Sequence, residues 1–338
     1  MVRRLIERCP AHRAGVVVAV AVTVLFSALT GRVEAAAVCA RRPPVQPAME
    51  RLRTALAAGR FVTYQPTSLR VIDGHASEAS AESIRADLVA LRPHFDALVT
   101  YGARHGAEAI PRVAATLGYR ALVIGVWDPF DDAEVAAALA AAAAEPDLVV
   151  GLVVGNEWRF AARPRAAELT GRLVAIRERA RSLPLASSEP FHLFDNDGAA
   201  EELAELDFLA PIVHPVFQPW FRDAPSANAA EFVVSVTARL ARRFCGPILV
   251  KETGVPTAPE SAGFGEARQA EFYRELARRF PAARERAFAY FDAFDAPWRV
   301  ADEQASPGYH PEEAHWGLFD EARRPKAAVR ALPPLAPR

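Results

Sequence analysis

Short β-branched runs alternate with segments of helical spacing along most of the chain, and this alternation constrains the fold more than any other feature. Strands that alternate with helices pair in parallel, and eight such units close into a barrel. Strands are predicted at residues 61–64, 97–101, 120–127, 148–154, 185–187, 208–213, 248–250 and 288–294, and helices at 81–91, 106–117, 131–144, 165–181, 199–206, 227–244 and 265–280. The sequence therefore predicts a single α/β domain, a (β/α)8 TIM barrel over residues 61–330.

The N-terminus has the pattern of a secretion signal. Several arginines precede an apolar stretch from Ala14 to Leu29, and Ala35-Ala36-Ala37 offers a small-residue cleavage site. The apolar stretch is shorter than the roughly 20 residues of a membrane span. We therefore expect residues 1–37 to be a signal peptide, residues 38–60 to be a lead-in, and the mature protein to be exported to the periplasm or the medium. An uncleaved membrane anchor is the alternative.

Removal of the signal would leave two cysteines, Cys39 and Cys245. Cysteines of an exported protein can pair. Nothing in the sequence places these two close together, so a disulfide and two buried thiols both stay open.

Charge and motifs exclude several classes of function. The formal net charge of −1 leaves no basic surface for nucleic acid. The histidines show no metal-ligand spacing, and there is neither a P-loop nor a G-x-S-x-G elbow. We therefore expect no metal, no cofactor and no partner protein, and a monomer in solution.

Two of the predicted strands are closed by a glutamate. Glu157 ends the apolar run that begins at Leu148, and Glu252 ends the run that begins at Pro247. Side chains at the C-terminal ends of barrel strands point into the mouth, where barrel enzymes carry out their chemistry. The two positions are about three β/α units apart, so they would face each other across one mouth. Two carboxyl groups are what a retaining glycosidase needs, one as nucleophile and one as proton donor and later base.

Other side chains at predicted strand ends are candidates for sugar binding. Asn156 could bind a hydroxyl next to the scissile bond, and Glu189 could bind a hydroxyl or tune the neighbouring nucleophile. Lys251 alternates to the side of its strand opposite Glu252, so we expect it to face the barrel wall. Aromatic rings can stack on the apolar faces of sugars, with packing as the alternative for each ring. The aromatic candidates are Tyr64, Tyr101, Trp127 and Trp220.

Six short motifs, in order along the chain, resemble those of glycoside hydrolase family 17, the β-1,3-glucanases and related glucosyltransferases. They are Thr100-Tyr101-Gly102, Ile124-Gly125-Val126-Trp127, Val154-Gly155-Asn156-Glu157, Glu252-Thr253-Gly254-Val255-Pro256-Thr257, Ala293-Phe294-Asp295-Ala296-Pro297-Trp298-Arg299 and His315-Trp316-Gly317-Leu318-Phe319-Asp320. The resemblance covers residues 61 to 326. It implies a (β/α)8 barrel, retention of anomeric configuration and no metal, with Glu157 as acid/base and Glu252 as nucleophile.

Two departures from the family pattern affect the sugar-contacting surface. Val255 stands where the family usually has tryptophan, and Ala296 stands where a glutamate often lies near the mouth. Both catalytic carboxylates are kept, so we expect a retaining hydrolase of β-glucan, with β-1,3 linkage. A transglycosylase would use the same two carboxylates with a sugar in place of water. A glycan-binding barrel without catalysis is a further alternative.

Overall fold

The computed structural model describes residues 37–39, 48–72, 74–301 and 310–335. The predicted signal peptide, apart from residue 37, lies outside the described residues, and so does much of the predicted lead-in. None of the described helices is long and apolar enough to cross a membrane.

Parallel strands form the centre of the described chain. The strands are β1 Phe61–Tyr64, β2 Val71–Ile72, β3 His75–Ala76, β4 Ala97–Thr100, β5 Ala121–Val126, β6 Val149–Asn156, β7 Leu185–Ser188, β8 Ile248–Thr253 and β9 Arg286–Tyr290. Within the described residues, seven of them form one sheet in the order β7-β6-β5-β4-β1-β9-β8, and β2 and β3 form a separate hairpin. All pairs in the large sheet are parallel, as the predicted alternation requires.

The segment at 208–213 fills the gap between β7 and β8. It makes single bridges to both sides, Pro190 to Ile212 and Leu209 to Ile248. The backbone N–H of Val213 also donates to the carbonyl of residue 252 over 2.8 Å. Pro211 has no N–H to donate, so a continuous ladder cannot form here. The predicted sixth strand is therefore an irregular extended segment, which we call the stave. It lies between β7 and β8 and closes the sheet into the predicted barrel.

The helices lie around the barrel and at one of its ends. They are α1 Ala48–Ala58, α2 Ala81–Leu91, α3 Ile110–Thr116, α4 Asp132–Ala144, α5 Leu169–Arg179, α6 Phe191–Phe194, α7 Ala200–Leu203, α8 Ser226–Arg243, α9 Glu266–Arg279 and α10 Ala327–Arg330. Met49, Leu52 and Leu56 of α1 recur at helical spacing and pack with the residues inside the barrel. Because α1 directly precedes β1 in the chain, it lies at the N-terminal end of the barrel. It covers that end and leaves the C-terminal mouth open.

A disulfide attaches the start of the described chain to the barrel. Cys39 and Cys245 are bonded, across a sequence separation of 206 residues. Val38 forms a parallel bridge with Phe244 beside it. Of the two states that the sequence left open, the structure therefore has the disulfide, and it lies before β8, away from the mouth.

Candidate active site

Glu157 directly follows β6, at a turn that comes after a β-bulge in that strand. Val153 pairs with Ala186 of β7, whereas Asn156 pairs with Ser188, so β6 has one extra residue here. A bulge of this kind bends a strand and changes the direction of the side chains that follow. Glu157 then has a φ of +52°, in the left-handed region that residues other than glycine rarely adopt. The carboxyl group is thereby turned into the mouth, where it is half-buried.

A second bulge lies at Glu252. Between Val250 and Thr253, β8 has one residue more than β9 opposite it. The regular alternation of side chains is therefore broken, and Lys251 Nζ lies 3.0 Å from Glu252 Oε1. The expectation that Lys251 faces the barrel wall is wrong for this reason.

Lys251 connects the two strand ends. Its ammonium donates to Asn156 Oδ1 and to Glu252 Oε1. It also lies 4.3 Å from the centre of the Tyr101 ring, a cation–π contact. Only 1% of Lys251 is exposed, and a buried ammonium needs such partners. Asn156 and Tyr101 are therefore held beside Glu252, and all three lie at one mouth.

The two glutamates are driven to opposite protonation states. Burial would raise the pKa of Glu252, but the Lys251 ammonium and the nearby His214 outweigh it and hold that pKa at about 2. His214 Nε2 lies 3.6 Å from Glu252 Oε2. Burial raises the pKa of Glu157 to about 7, and the charges of Glu252 and Glu189 add to this increase while Lys251 opposes it. Near pH 5, Glu252 is therefore ionised and Glu157 protonated.

Two predicted aromatic residues lie exposed after strands of the barrel. Trp127 follows β5 and is 38% exposed, with the guanidinium of Arg163 lying 5.0 Å from its ring centre. Trp220 follows the stave at 208–213 and is 37% exposed. Both rings have free surface, as stacking on a sugar requires.

The structure contradicts the expected role of Tyr64. The side chain is wholly buried in the outer core, between the barrel and its helices. Its hydroxyl donates to Asp87 Oδ2 over 2.9 Å, and its ring packs edge-on against Phe294. Tyr64 therefore joins β1 to α2, and it offers no surface to a substrate.

Glu189 does not face a sugar either. It has no exposed surface, and its two carboxylate oxygens accept the backbone N–H groups of Arg159 and Phe160, over 2.7 and 3.2 Å. The expected tuning of a neighbouring carboxylate applies to Glu157 rather than to the nucleophile, since Glu189 helps to raise the pKa of Glu157.

Sequence reasoning missed several polar residues that build the site. One signal was available for Lys251, because the chain has only two lysines, Lys251 and Lys326, among many arginines. Both are buried in ion pairs, and Lys326 Nζ lies 2.7 Å from Asp295 Oδ1. His214 had the signal of its place directly after the predicted sixth strand, where a substrate contact and a barrel histidine with satisfied hydrogen bonds were both open, and the structure places it near Glu252.

Glu134 was hidden in an alanine-rich helical pattern. It is 4% exposed, and its carboxylate accepts the N–H groups of Ala103, Trp127 and Asp128, over 3.1, 2.9 and 2.9 Å. It therefore holds the loops after β4 and β5 together beneath Trp127.

A cavity of about 430 Å³ lies beside the segments that follow β1 and β9, and neither Glu157 nor Glu252 is among its lining residues. Asp292 and Arg299 lie on its wall, joined by a 2.5 Å ion pair, and the charge of Asp292 interacts with that of Glu252. The remaining lining includes Gln65, Arg70 and Trp298. This volume lies within the range of small-molecule sites.

A closed barrel with an ionised and a protonated carboxyl group at its mouth has the equipment of a glycosidase. The sequence profile of the BtgE/BtgC glycoside hydrolase domain matches residues 62–317. The chain belongs to this family of glycosidases, and the resemblance to glycoside hydrolase family 17 is confirmed.

Relatives of known activity match most of the chain. A glucan 1,3-beta-glucosidase of Arthroderma benhamiae is 25% identical over 255 residues, which cover 71% of this chain and 82% of the relative. The crystal structure of a family 17 beta-1,3-glucanosyltransferase from Rhizomucor miehei matches with a TM-score of 0.60 and 20% identity, over 79% of this chain and 95% of that one. An endo-laminarinase from Formosa Hel1_33_131 matches with a TM-score of 0.58 and 20% identity, over 78% and 83%. These structures confirm the barrel fold.

Proposed function

We propose that the protein is a retaining β-1,3-glucan hydrolase in which Glu252 is the nucleophile and Glu157 the acid/base. The observation that carries the proposal is the opposite displacement of the two pKa values at one mouth, to about 2 and about 7. A nucleophile must be ionised and a general acid must be protonated at the same pH, and this pair meets both conditions. The relatives that act on β-1,3-glucan support the choice of substrate.

The reaction follows from the positions of the two groups. Glu252 attacks the anomeric carbon and forms a glycosyl–enzyme ester, while Glu157 gives its proton to the departing glycosidic oxygen. Glu157 then takes a proton from water, which attacks the same carbon and releases Glu252. Two inversions leave the β configuration unchanged.

Three predicted residues are proposed to hold the sugar. The Asn156 carbonyl oxygen accepts from Lys251, which leaves its amide N–H groups to donate to a hydroxyl. Burial raises the pKa of Tyr101 well above its usual value, helped by the charges of Glu252 and Asp292, so its hydroxyl stays protonated and can donate. Trp127 offers an exposed face for stacking.

The test compares Glu252→Gln and Glu157→Gln with the unchanged protein on laminari-oligosaccharides, following products by mass and by anomer. We expect shorter products of β configuration from the unchanged protein and almost none from Glu252→Gln. Glu285→Gln is the matched control, because Glu285 is exposed beside the start of β9 and pairs only with Arg53 among its described ion pairs. Products of α configuration, or full turnover by Glu252→Gln, would contradict the proposal.

A transferase is the second candidate, and an aromatic ridge on the acid/base side of the mouth favours it. Ring contacts run from Phe160 to His192, from Phe191 to Phe232, and from Phe232 to Trp220, at centroid distances of 5.9, 5.6 and 5.7 Å. Phe160 is 57% exposed, so the ridge is open at both ends. A sugar that stacks on it could compete with water for the glycosyl–enzyme.

The products formed at high oligosaccharide concentration show whether water or a second sugar accepts the glycosyl group. If the ridge binds an acceptor, longer products appear, and Trp220→Ala lowers their ratio to hydrolysis products. Val89→Ala removes exposed apolar surface elsewhere, on α2, and should leave the ratio unchanged. Hydrolysis products alone would exclude the transferase.

We also propose that the protein is exported, with residues 1–37 as its signal. The intramolecular disulfide supports this, because disulfides persist in oxidising compartments. N-terminal sequencing of the protein from its native source tests it: a start near residue 38 is expected, and a start at Met1 would contradict cleavage.

A further inference from the structure

The turn that carries Glu157 is held by a carboxylate from the neighbouring strand. Glu189 directly follows β7, has no exposed surface, and accepts the N–H groups of Arg159 and Phe160. The preceding residue, Ser188, accepts the N–H of Glu157 itself over 2.8 Å. Three of the four backbone N–H groups from 157 to 160, all but that of residue 158, are therefore bound by two adjacent residues at the end of β7.

This turn needs such support. Glu157 has a φ of +52°, a left-handed conformation that is strained for an L-residue other than glycine. Backbone in a conformation of this kind persists when the surrounding contacts overdetermine it. A carboxylate that accepts two consecutive N–H groups supplies strong, charge-assisted hydrogen bonds for this purpose.

The backbone that Glu189 binds is itself anchored through the side chain of Arg159. Glu202 is 4% exposed, and its Oε2 lies 2.8 Å from Arg159 Nε. Arg159 Nη2 also donates to the hydroxyl of Thr170 over 2.7 Å. Arg159 is therefore tied to α5 and α7, and the backbone that Glu189 binds cannot move freely.

Glu189 also acts on Glu157 through its charge. The groups that face Glu157 are Glu252, Lys251, Glu189 and Glu313, and of these only Lys251 favours the ionised form. Burial raises the pKa of Glu189 to about 7, against its two backbone hydrogen bonds. Glu189 therefore titrates in the same pH range as Glu157, and its negative charge develops as the pH rises through about 7.

The geometry points to Glu189 as the positioning residue of the acid/base: it fixes the turn that presents the Glu157 carboxyl group. This inference rests on the proposed function. It assigns Glu189 to the proton-transfer step and to no contact with the sugar, since both of its oxygens are already bound to backbone.

The experiment separates proton donation from the rest of catalysis by means of the leaving group. An unactivated laminari-oligosaccharide needs a proton on the departing oxygen, whereas a dinitrophenyl β-laminaribioside has a leaving group that departs without one. For Glu189→Gln we expect kcat/KM to fall about 10- to 100-fold on the oligosaccharide, the effect of a misplaced catalytic group. On the dinitrophenyl substrate we expect a fall of less than about threefold, because nucleophilic attack by Glu252 is unchanged.

The pH profile supplies a second readout. Removing the charge of Glu189 should lower the pKa of Glu157, so the falling limb of kcat/KM moves to lower pH, by on the order of half a unit. Glu189→Asp keeps the charge but shortens the reach. It should leave the limb in place and still lose activity on the oligosaccharide, and it keeps the test open if Glu189→Gln does not fold.

Glu134→Gln is the matched control, because Glu134 is another buried carboxylate that binds backbone N–H groups, but of different loops. Any loss in that variant should be equal on the two substrates. An equal loss on both substrates for Glu189→Gln, or no loss, would overturn the inference. Glu157→Gln distinguishes a failure of the role inferred for Glu189 from a failure of the proposed function. If Glu157→Gln shows the dependence on leaving group and Glu189→Gln does not, only the role of Glu189 fails.

Discussion

Raising the pH above neutrality should inactivate this enzyme by removing one proton from Glu157. The pKa of Glu157 is raised to about 7, first by burial and then by the charge of Glu252. The pKa of Glu252 is about 2, so this group stays ionised throughout the neutral range. The falling limb of kcat/KM, which reports the free enzyme, therefore belongs to Glu157, coupled to Glu189, whose pKa is also raised to about 7.

The size of the effect follows from the titration of one group. With a pKa of about 7 for Glu157, its protonated fraction is about 0.9 at pH 6 and about 0.1 at pH 8. The value of kcat/KM on a laminari-oligosaccharide should therefore fall about tenfold between these two pH values. Between about pH 3 and pH 6 it should be nearly flat, because Glu252 is already ionised there.

The assay measures initial rates of product release at low oligosaccharide concentration, at half-unit steps from pH 4 to pH 9. Circular dichroism at each pH is the control for unfolding. It is needed because a raised folded-state pKa contributes stability at low pH that is lost as the pH rises through about 7. A dinitrophenyl glycoside should not show the limb. An undiminished rate at pH 9, or the same limb with both substrates, would refute the reasoning.

Three further predictions follow from other parts of the structure. Lys251→Met should raise the pKa of Glu252 and so move the rising limb of kcat/KM towards neutral pH. Lys326 is the other buried lysine, and Lys326→Met should lower the melting temperature without moving that limb. Reduction of the disulfide should lower the free energy of unfolding by about 2–4 kcal/mol, seen in urea unfolding, yet leave kcat/KM at 25 °C within about twofold, because the bridge is remote from the mouth. Tyr64→Phe should lower the free energy of unfolding by about 1 kcal/mol, through the lost hydrogen bond to Asp87, and should leave KM unchanged. A several-fold rise in KM would instead indicate that Tyr64 contacts the substrate.

The order of strands and helices could be predicted from sequence because it depends on local patterns. Buried parallel strands read as continuous apolar runs, and the run from Leu148 to Val154 and the run before Lys251 are of this kind. Each run is short and rich in β-branched residues, which is typical of a buried strand rather than a helix. The sixth strand is less regular than the others, since Pro211 removes one hydrogen bond from its ladder, but isolated bridges and backbone hydrogen bonds to both neighbours keep it in the barrel.

The site could be predicted only in part, because its details depend on departures from regular strand geometry. The two glutamates were found from their place at strand ends. The direction of Lys251 was predicted wrongly, because alternation assumes one residue opposite one residue, and a bulge in β8 breaks that rule. Tyr64 was assigned to the mouth from its place at a strand end, yet its hydroxyl meets Asp87, a partner on a helix 23 residues further along the chain. No local pattern reveals such a contact.

The charge arrangement also explains how one residue can serve as acid and then as base. In the free enzyme the negative charge of Glu252 is one of the causes that keep Glu157 protonated. In the proposed mechanism Glu252 becomes an ester in the glycosyl–enzyme, so that its charge disappears, while the Lys251 ammonium, which favours ionised Glu157, remains. The pKa of Glu157 must then fall, and the group becomes ready to accept a proton from water. The proton demand of each step is therefore set by the covalent state of the nucleophile, through Lys251 and Glu252 at the same bulge of β8.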